Sequence, residues 1–290
     1  MRSQIAAAVG SWYDLAARDL PWRAPGTSPW AVLVSEIMLQ QTPVVRVLPA
    51  YAAWLQRWPT PADLAADSPG DAVRMWGKLG YPRRALRLHE CAAQIVARHR
   101  GAVPSDVTEL ESLPGIGAYT ARAVAVFAFG HRHPVVDTNV RRVIGRAICG
   151  RAGAGVPSTA RDLRTVEAVL PDDPRAAART SIALMELGAL VCTARTPNCT
   201  ACPLESACAW LTAGRPVYEG PTVRPQRFAG TDRHVRGLIL DVLRAELGPV
   251  SRAQLDATWH DAQQRDRAID SLLADGLLVK RSDGTYTLPT

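Results

Sequence analysis

The chain has 290 residues, 47% apolar and 21% charged; this is long for one hydrophobic core and ordinary in composition, so two globular domains are expected. No stretch approaches the roughly 18 unbroken apolar residues of a membrane span, and the amphipathic, partly acidic start lacks the pattern of a signal peptide, so a cytoplasmic protein is expected. The net charge of +7 favours a polyanionic partner, with residues 1–231 carrying +8 and residues 232–290 carrying −1.

Apolar positions recur at helical spacing over 30–39, 44–55, 85–97, 118–129, 139–148, 159–170 and 176–191, between clusters of Pro, Gly, Ser and Asp. This predicts an all-helical domain over residues 1–210. Within it, Thr108-x-x-Glu111 predicts a capping box, and Leu113-Pro114-Gly115-Ile116-Gly117 turns the chain into a helix from Ala118. Residues 211–231, rich in Pro, Gly and Thr, read as a linker. Residues 232–290 read as a helix over 233–247, a second with Ser251 as its N-cap and a third near 261–275. Two short alternating runs around Asp283-Gly284 then predict a hairpin, completing a winged-helix-like α/β module.

Several residues carry chemistry. Six cysteines without a secretory signal argue against disulfides, and Cys192, Cys199, Cys202 and Cys208 fall in the pattern C-x6-C-x2-C-x5-C. Four thiolates so close imply a soft metal centre, zinc or iron–sulfur, between which spacing alone does not choose. Cys91 and Cys149, alone on apolar helical faces, read as core residues. Gly115 and Gly117 let backbone N–H groups converge on one oxygen at the positive end of the following helix, an arrangement that suits a phosphodiester. Glu36 has Val32, Leu33 and Leu39 as helical neighbours, surroundings that raise a carboxyl pKa and suit a proton donor. Asp137 reads locally as a helix N-cap. Lys78 and Lys280 are the only lysines, so most of the positive charge is guanidinium, which cannot act as an amine nucleophile.

The cysteine spacing and the segment LPGIGAYTA resemble the 4Fe-4S loop and the helix-hairpin-helix of the endonuclease III-like DNA glycosylase superfamily. SEIMLQQT resembles the signature of its MutY-type adenine glycosylases, and the motifs across residues 5–210 fall in family order. The resemblance implies a mainly α, helix-hairpin-helix glycosylase fold with a structural 4Fe-4S cluster on Cys192, Cys199, Cys202 and Cys208. It also implies a monomeric, monofunctional base excision repair enzyme acting on double-stranded DNA. Its reaction would be hydrolysis of the N-glycosidic bond of adenine mispaired with 8-oxoguanine or guanine. On the same basis Glu36 protonates the adenine ring, Asp137 stabilises positive charge on the sugar and Asn139 helps hold the reacting centre. Leu20, Trp22, Arg23 and Glu186 line the adenine pocket together with Tyr119, Glu186 bonding the base. Gln41, Thr42 and Leu79 meet the opposite guanine, and Gly115 and Gly117 hold the DNA backbone.

Tyr119 stands where bifunctional members of the superfamily have a nucleophilic lysine, which disfavours lyase chemistry. The 82 residues after Cys208 are too few for the Nudix-like domain that such enzymes usually carry. In its place stands the winged-helix-like module, whose third helix sets Arg265 and Arg267 against Asp261, Asp266, Asp270 and Asp275, a poor composition for gripping phosphate. Two alternatives stand beside this reading: a thymine-mismatch glycosylase, and a non-catalytic DNA-binding or redox-sensing iron–sulfur protein. SEIMLQQT with Glu186 argues against the first, and retention of both Glu36 and Asp137 argues against the second.

Overall fold

A computed structural model describes residues 2–154, 159–218, 220 and 228–290; of the expected linker, residues 219 and 221–227 lie outside the described residues. The helices in chain order are α1 (Arg2–Ala16), α2 (Pro29–Leu39), α3 (Val44–Arg57), α4 (Pro61–Ala66), α5 (Pro69–Trp76), α6 (Arg83–His99), α7 (Val107–Glu111) and α8 (Ala118–Phe129). They continue as α9 (Thr138–Ala147), α10 (Thr159–Glu167), α11 (Pro174–Leu190), α12 (Ala209–Thr212), α13 (Asp232–Ala245), α14 (Arg252–Asp256) and α15 (Ala262–Ala274). Strands β1 (Val279–Lys280) and β2 (Tyr286–Thr287) follow. Among the described residues no helix is long and apolar enough to cross a membrane.

Local chemistry explains most helix starts. Thr60 and Asp63 form a reciprocal capping box ahead of α4, the Ser68 side chain accepts from the Asp71 amide, and Asp173 accepts from the Ala176 amide. The capping box expected at Thr108-x-x-Glu111 is not the one formed. Asp106 Oδ1 instead accepts from the amides of Thr108 at 2.8 Å and Glu109 at 3.0 Å, so Asp106 caps α7 and Thr108 lies inside it. A carboxylate two residues earlier is the stronger acceptor for these two orphan donors. Cys91 is buried as expected, whereas Cys149 is exposed. Helix α9 ends at Ala147 and Ile148 caps it, so Cys149 lies beyond the apolar face that its spacing suggested.

The chain divides into two compact units, each built from discontinuous segments. The first comprises residues 1–32, 105–111 and 116–222. Its core joins Ile5 and Val9 of α1 to Val140, Val143 and Ile144 of α9 and to Leu184 and Leu187 of α11, with Leu204 added from the cysteine loop. Helices α9 and α11 approach closely because Gly188 faces Asn139, where an added Cβ would lie 2.7 Å from the Asn139 Cβ.

The second unit comprises residues 33–104, 112–115 and 223–290. Trp54 packs edge-on against Trp58 at 4.6 Å and against Trp76 at 5.7 Å between ring centroids, locking α3 to α5. Its C-terminal part has the expected elements. Val235, Ile239 and Leu243 of α13 are buried, as are Leu255, Ile269 and Leu272. β1 pairs antiparallel with β2, Val279 opposite Thr287 and Lys280 opposite Tyr286, and Val250 bridges to Tyr286. Ser251 and Gln254 form the capping box of α14, and Asp261 caps α15. Arg252 and Arg265 are both paired with Asp256, and Arg267 with Asp232. These guanidinium groups are thus engaged by the module's own carboxylates.

Candidate active site

In the first unit the turn Pro21–Arg23 brings Leu20 and Trp22 into buried positions, 4% and 8% exposed. Beside them lies Glu186 of α11, its side chain wholly buried. Such a carboxylate survives only with compensating charge. Arg18 supplies it, donating from its backbone N at 3.0 Å and Nε at 2.7 Å to Glu186 Oε1, and from Nη2 at 2.7 Å to Oε2. Arg23 Nη2 adds a bond of 3.0 Å to Oε2. Burial opposes ionisation of Glu186, but the bonds from Arg18 and Arg23 outweigh it and hold the carboxyl at about 2. Arg23 Nη1 is buried without a hydrogen-bond partner. The set therefore presents a fixed anion beside an unspent donor. Sequence reasoning missed Arg18, whose partner is 168 positions away and leaves no local trace.

Asp137 caps α9, its Oδ1 accepting from the Val140 amide at 2.7 Å, while Asn139 Nδ2 donates to Oδ2 at 2.9 Å. Burial pushes the Asp137 carboxyl above its usual value, and the Val140 and Asn139 bonds pull against that rise. Asn139 is held in turn by Arg142, whose Nη2 donates to Asn139 Oδ1 at 2.7 Å and to the Gly188 carbonyl at 2.6 Å. Arg142 Nε reaches the Cys192 carbonyl at 2.6 Å. Tyr119 packs against a small cluster of Ala123, Val126, Val135 and Ala178.

The cysteine loop is tied to α9 a second time. Arg146 donates to the carbonyls of Thr193 at 2.7 Å and Ala194 at 3.1 Å, approaches Cys192 Sγ at 3.4 Å, and lies 4.7 Å above the Trp210 ring. Burial pushes the Cys202 thiol up to about 11, with Cys192, Cys208 and Cys199 adding to the rise. Among the described residues no three such side chains are gathered tightly enough to hold a metal ion. The donor set, four sulfurs on one loop pinned by two arginines, suits a soft metal centre.

In the second unit Glu36 lies on α2 and is 7% exposed. Its helix is buried on nearly every side, through Trp30, Val32, Leu33, Val34, Ile37 and Met38. After α2 the chain turns through Gln41, which is exposed and has φ of 55°, a left-handed conformation that costs a non-glycine residue energy. Thr42 is buried, and its Oγ1 donates to the Leu79 carbonyl at 3.2 Å. Leu79 is itself only 5% exposed. Tyr81, two residues on, is 52% exposed and also left-handed at φ 49°.

Arg84 joins these two loops. Its Nη1 donates to the carbonyls of Ile37 at 2.8 Å, Met38 at 3.1 Å and Gln40 at 2.6 Å, capping the end of α2. Its Nη2 reaches Thr42 Oγ1 at 2.9 Å and the Gly80 carbonyl at 3.1 Å. The guanidinium lies between the Trp76 and Tyr81 rings, and burial pulls it down to about 10. Sequence reasoning named Gln41, Thr42 and Leu79 but neither Tyr81 nor Arg84. The aromatic between Gly80 and Pro82 in a loop was the available signal for Tyr81.

Gly115 has φ of +78°, and a Cβ there would meet the Arg87 Cβ at 2.8 Å, so this turn needs glycine twice over. Gly117, the N-cap of α8, has extended backbone and open space where a Cβ would stand. Both glycines are exposed.

A helical body whose glycine hairpin opens its backbone toward solvent at a helix N-terminus has the architecture of helix-hairpin-helix proteins that hold DNA by its phosphates. The model of the HhH-GPD superfamily base excision DNA repair proteins matches residues 34–166, and the chain belongs to that superfamily. It is 58% identical to an adenine DNA glycosylase of Mycobacterium tuberculosis (strain ATCC 25618 / H37Rv) over 280 residues, which cover 96% of this chain and 91% of the relative. It is 59% identical to the adenine DNA glycosylase of Mycolicibacterium smegmatis over 280 residues, 96% of this chain and 94% of the relative. The fold superposes on a thermostable thymine-DNA glycosylase with a TM-score of 0.65 at 25% identity, covering 73% of this chain and 97% of that one.

Proposed function

We propose that this protein is a monofunctional adenine DNA glycosylase of base excision repair, DNA-associated in the cytoplasm. Its substrate is adenine mispaired with 8-oxoguanine or guanine in double-stranded DNA. The observation that carries the reading is the buried set of Arg18, Arg23 and Glu186, in which Glu186 stays ionised and Arg23 keeps one unpartnered donor. A flipped adenine offers ring nitrogens as acceptors, which the unpartnered Arg23 Nη1 donor can meet. The full-length likeness to two adenine DNA glycosylases supports the same choice.

Excision breaks the bond between the sugar C1′ and the base nitrogen, adds water at C1′ and leaves the base with a proton. An adenine anion is a poor leaving group, so a proton must reach the ring as the bond breaks. Glu36, buried on an apolar helix, is the donor. Positive charge then develops on the sugar, and Asp137, aimed by the Val140 amide and Asn139, is the carboxylate that stabilises it. Gly115 and Gly117 hold a phosphate through backbone N–H groups, and Gln41, Thr42, Leu79 and Tyr81 serve the strand opposite. Cys192, Cys199, Cys202 and Cys208 would hold a 4Fe-4S cluster whose part is structural, closing the loop that Arg142 and Arg146 tie to α9.

Base release from duplexes carrying adenine, thymine or an oxidised pyrimidine opposite guanine and opposite 8-oxoguanine tests the reading. Adenine release alone is the expected result. Thymine release would assign the protein to the other specificity, and release from none would make it a non-catalytic DNA-binding protein.

A further inference from the structure

The C-terminal module does not stand apart from the helices that precede it within the second unit; it clamps α5 at both ends. At the N-terminal end, Gly70 leaves room for the end of the chain. A Cβ there would lie 2.4 Å from the Pro289 carbonyl oxygen and 3.0 Å from the Leu288 Cβ. At the C-terminal end two arginines cap each other's helices. Arg74 Nη1 donates to the carbonyls of Leu243 at 3.2 Å and Glu246 at 2.8 Å, and to that of Arg244, satisfying the last turn of α13. Arg244 Nε donates back to the Val73 carbonyl at 3.1 Å, in the last turn of α5. Each guanidinium sits where the helix dipole and the orphan carbonyls favour positive charge.

Helix α5 ends at Trp76 and runs directly into Gly77-Lys78-Leu79-Gly80-Tyr81. Trp76 Nε1 donates to the Gly80 carbonyl at 2.9 Å, so the end of α5 also sets the course of this loop. The module touches the loop's flanks as well, through Asp241 with Lys78 at 3.5 Å and Asp275 with Arg83 at 3.2 Å.

We propose that the module is a brace for residues 77–82, and that Arg244 is a positioning residue for recognition of the base opposite the excised adenine. The inference rests on the function proposed above, which sends this loop to the opposite strand. Left-handed backbone at Tyr81, which is not a glycine, makes the loop conformation costly to hold. Anchoring its launching helix at both ends supplies the constraint that α5, only eight residues long, cannot supply alone.

The test uses the full-length protein with Arg244→Met, which keeps the apolar stem and removes the donors, and with Arg244→Lys, which keeps a donor. Two quantities are read: hydrogen exchange of the amides of residues 77–81, with those of residues 113 and 115–117 as internal control, and the ratio of single-turnover adenine release opposite 8-oxoguanine to that opposite guanine. In Arg244→Met exchange at 77–81 should rise while that at 113 and 115–117 is unchanged, and the ratio should fall about tenfold, the scale expected when recognition groups are misplaced by a remote change. Arg244→Lys should recover part of both. An equal loss of rate on both duplexes, or unchanged exchange at 77–81, overturns the proposal. If Arg244→Met does not fold, Gly70→Ala is read by the same two measurements and judged by the same outcomes. Should the unmodified protein release adenine from neither duplex, the proposed function fails, while the exchange result still decides whether the module braces the loop.

Discussion

Asn139 donates from its side-chain amide to Asp137 Oδ2 at 2.9 Å, so the carboxylate that caps α9 has both oxygens committed to fixed donors. Removing the donor frees one oxygen without disturbing the cap. Asn139→Ala should slow single-turnover adenine release by about 10²-fold while leaving DNA affinity within a few-fold, since the lost interaction acts on developing charge. An equal loss in affinity would show that Asn139 serves binding instead.

Glu36→Gln removes the proton donor and preserves side-chain shape, so adenine release should vanish with DNA binding retained. Activity within about tenfold of the unmodified protein, less than ~1.4 kcal/mol of transition-state stabilisation, would assign the acid elsewhere.

The Arg18–Glu186–Arg23 set makes stability depend on pH in a defined window. Glu186 is held at about 2 in the folded protein against an ordinary value of 4.5. Its contribution is therefore fully present above pH 4.5 and disappears as pH falls through about 2. Urea midpoints measured across this interval should fall less steeply for Glu186→Gln than for the unmodified protein. At neutral pH Arg18→Ala should cost about 3 kcal/mol, because it strips a buried carboxylate of its main partner.

Purified anaerobically, the protein should be brown and carry about four irons per chain, as four thiolate ligands around a 4Fe-4S cluster require. Stoichiometric zinc without visible absorption would assign the loop to the other metal.

Borohydride should trap no covalent complex with substrate DNA, and strand cleavage should need added alkali. Lys78 has a side chain 85% exposed and pairs with Asp241 at 3.5 Å on the surface, rather than standing in an enclosed pocket as a nucleophile would. Efficient trapping that disappears in Lys78→Ala would make the enzyme bifunctional.

What the sequence determined by itself is what adjacent residues decide. An apolar stripe repeats within one helix, so the spans 30–39, 118–129 and 139–148 are legible from spacing, and structure moves their ends by at most a residue. Caps are local too: Asp137 and Ser251 satisfy amides three positions ahead, and the Asp283-Gly284 turn closes its own hairpin. Tertiary structure alone decided the rest, because it pairs groups that are remote in the chain. Arg18 meets Glu186 across 168 positions, Arg84 meets Gln40 across 44, and Arg74 meets Glu246 across 172. No periodicity registers such pairs, since each arginine alone reads as one more surface cation in a basic protein. The burial of Leu79, the exposure of Cys149 and the docking of the last module on α5 share that cause: they depend on which surfaces meet after the helices have formed.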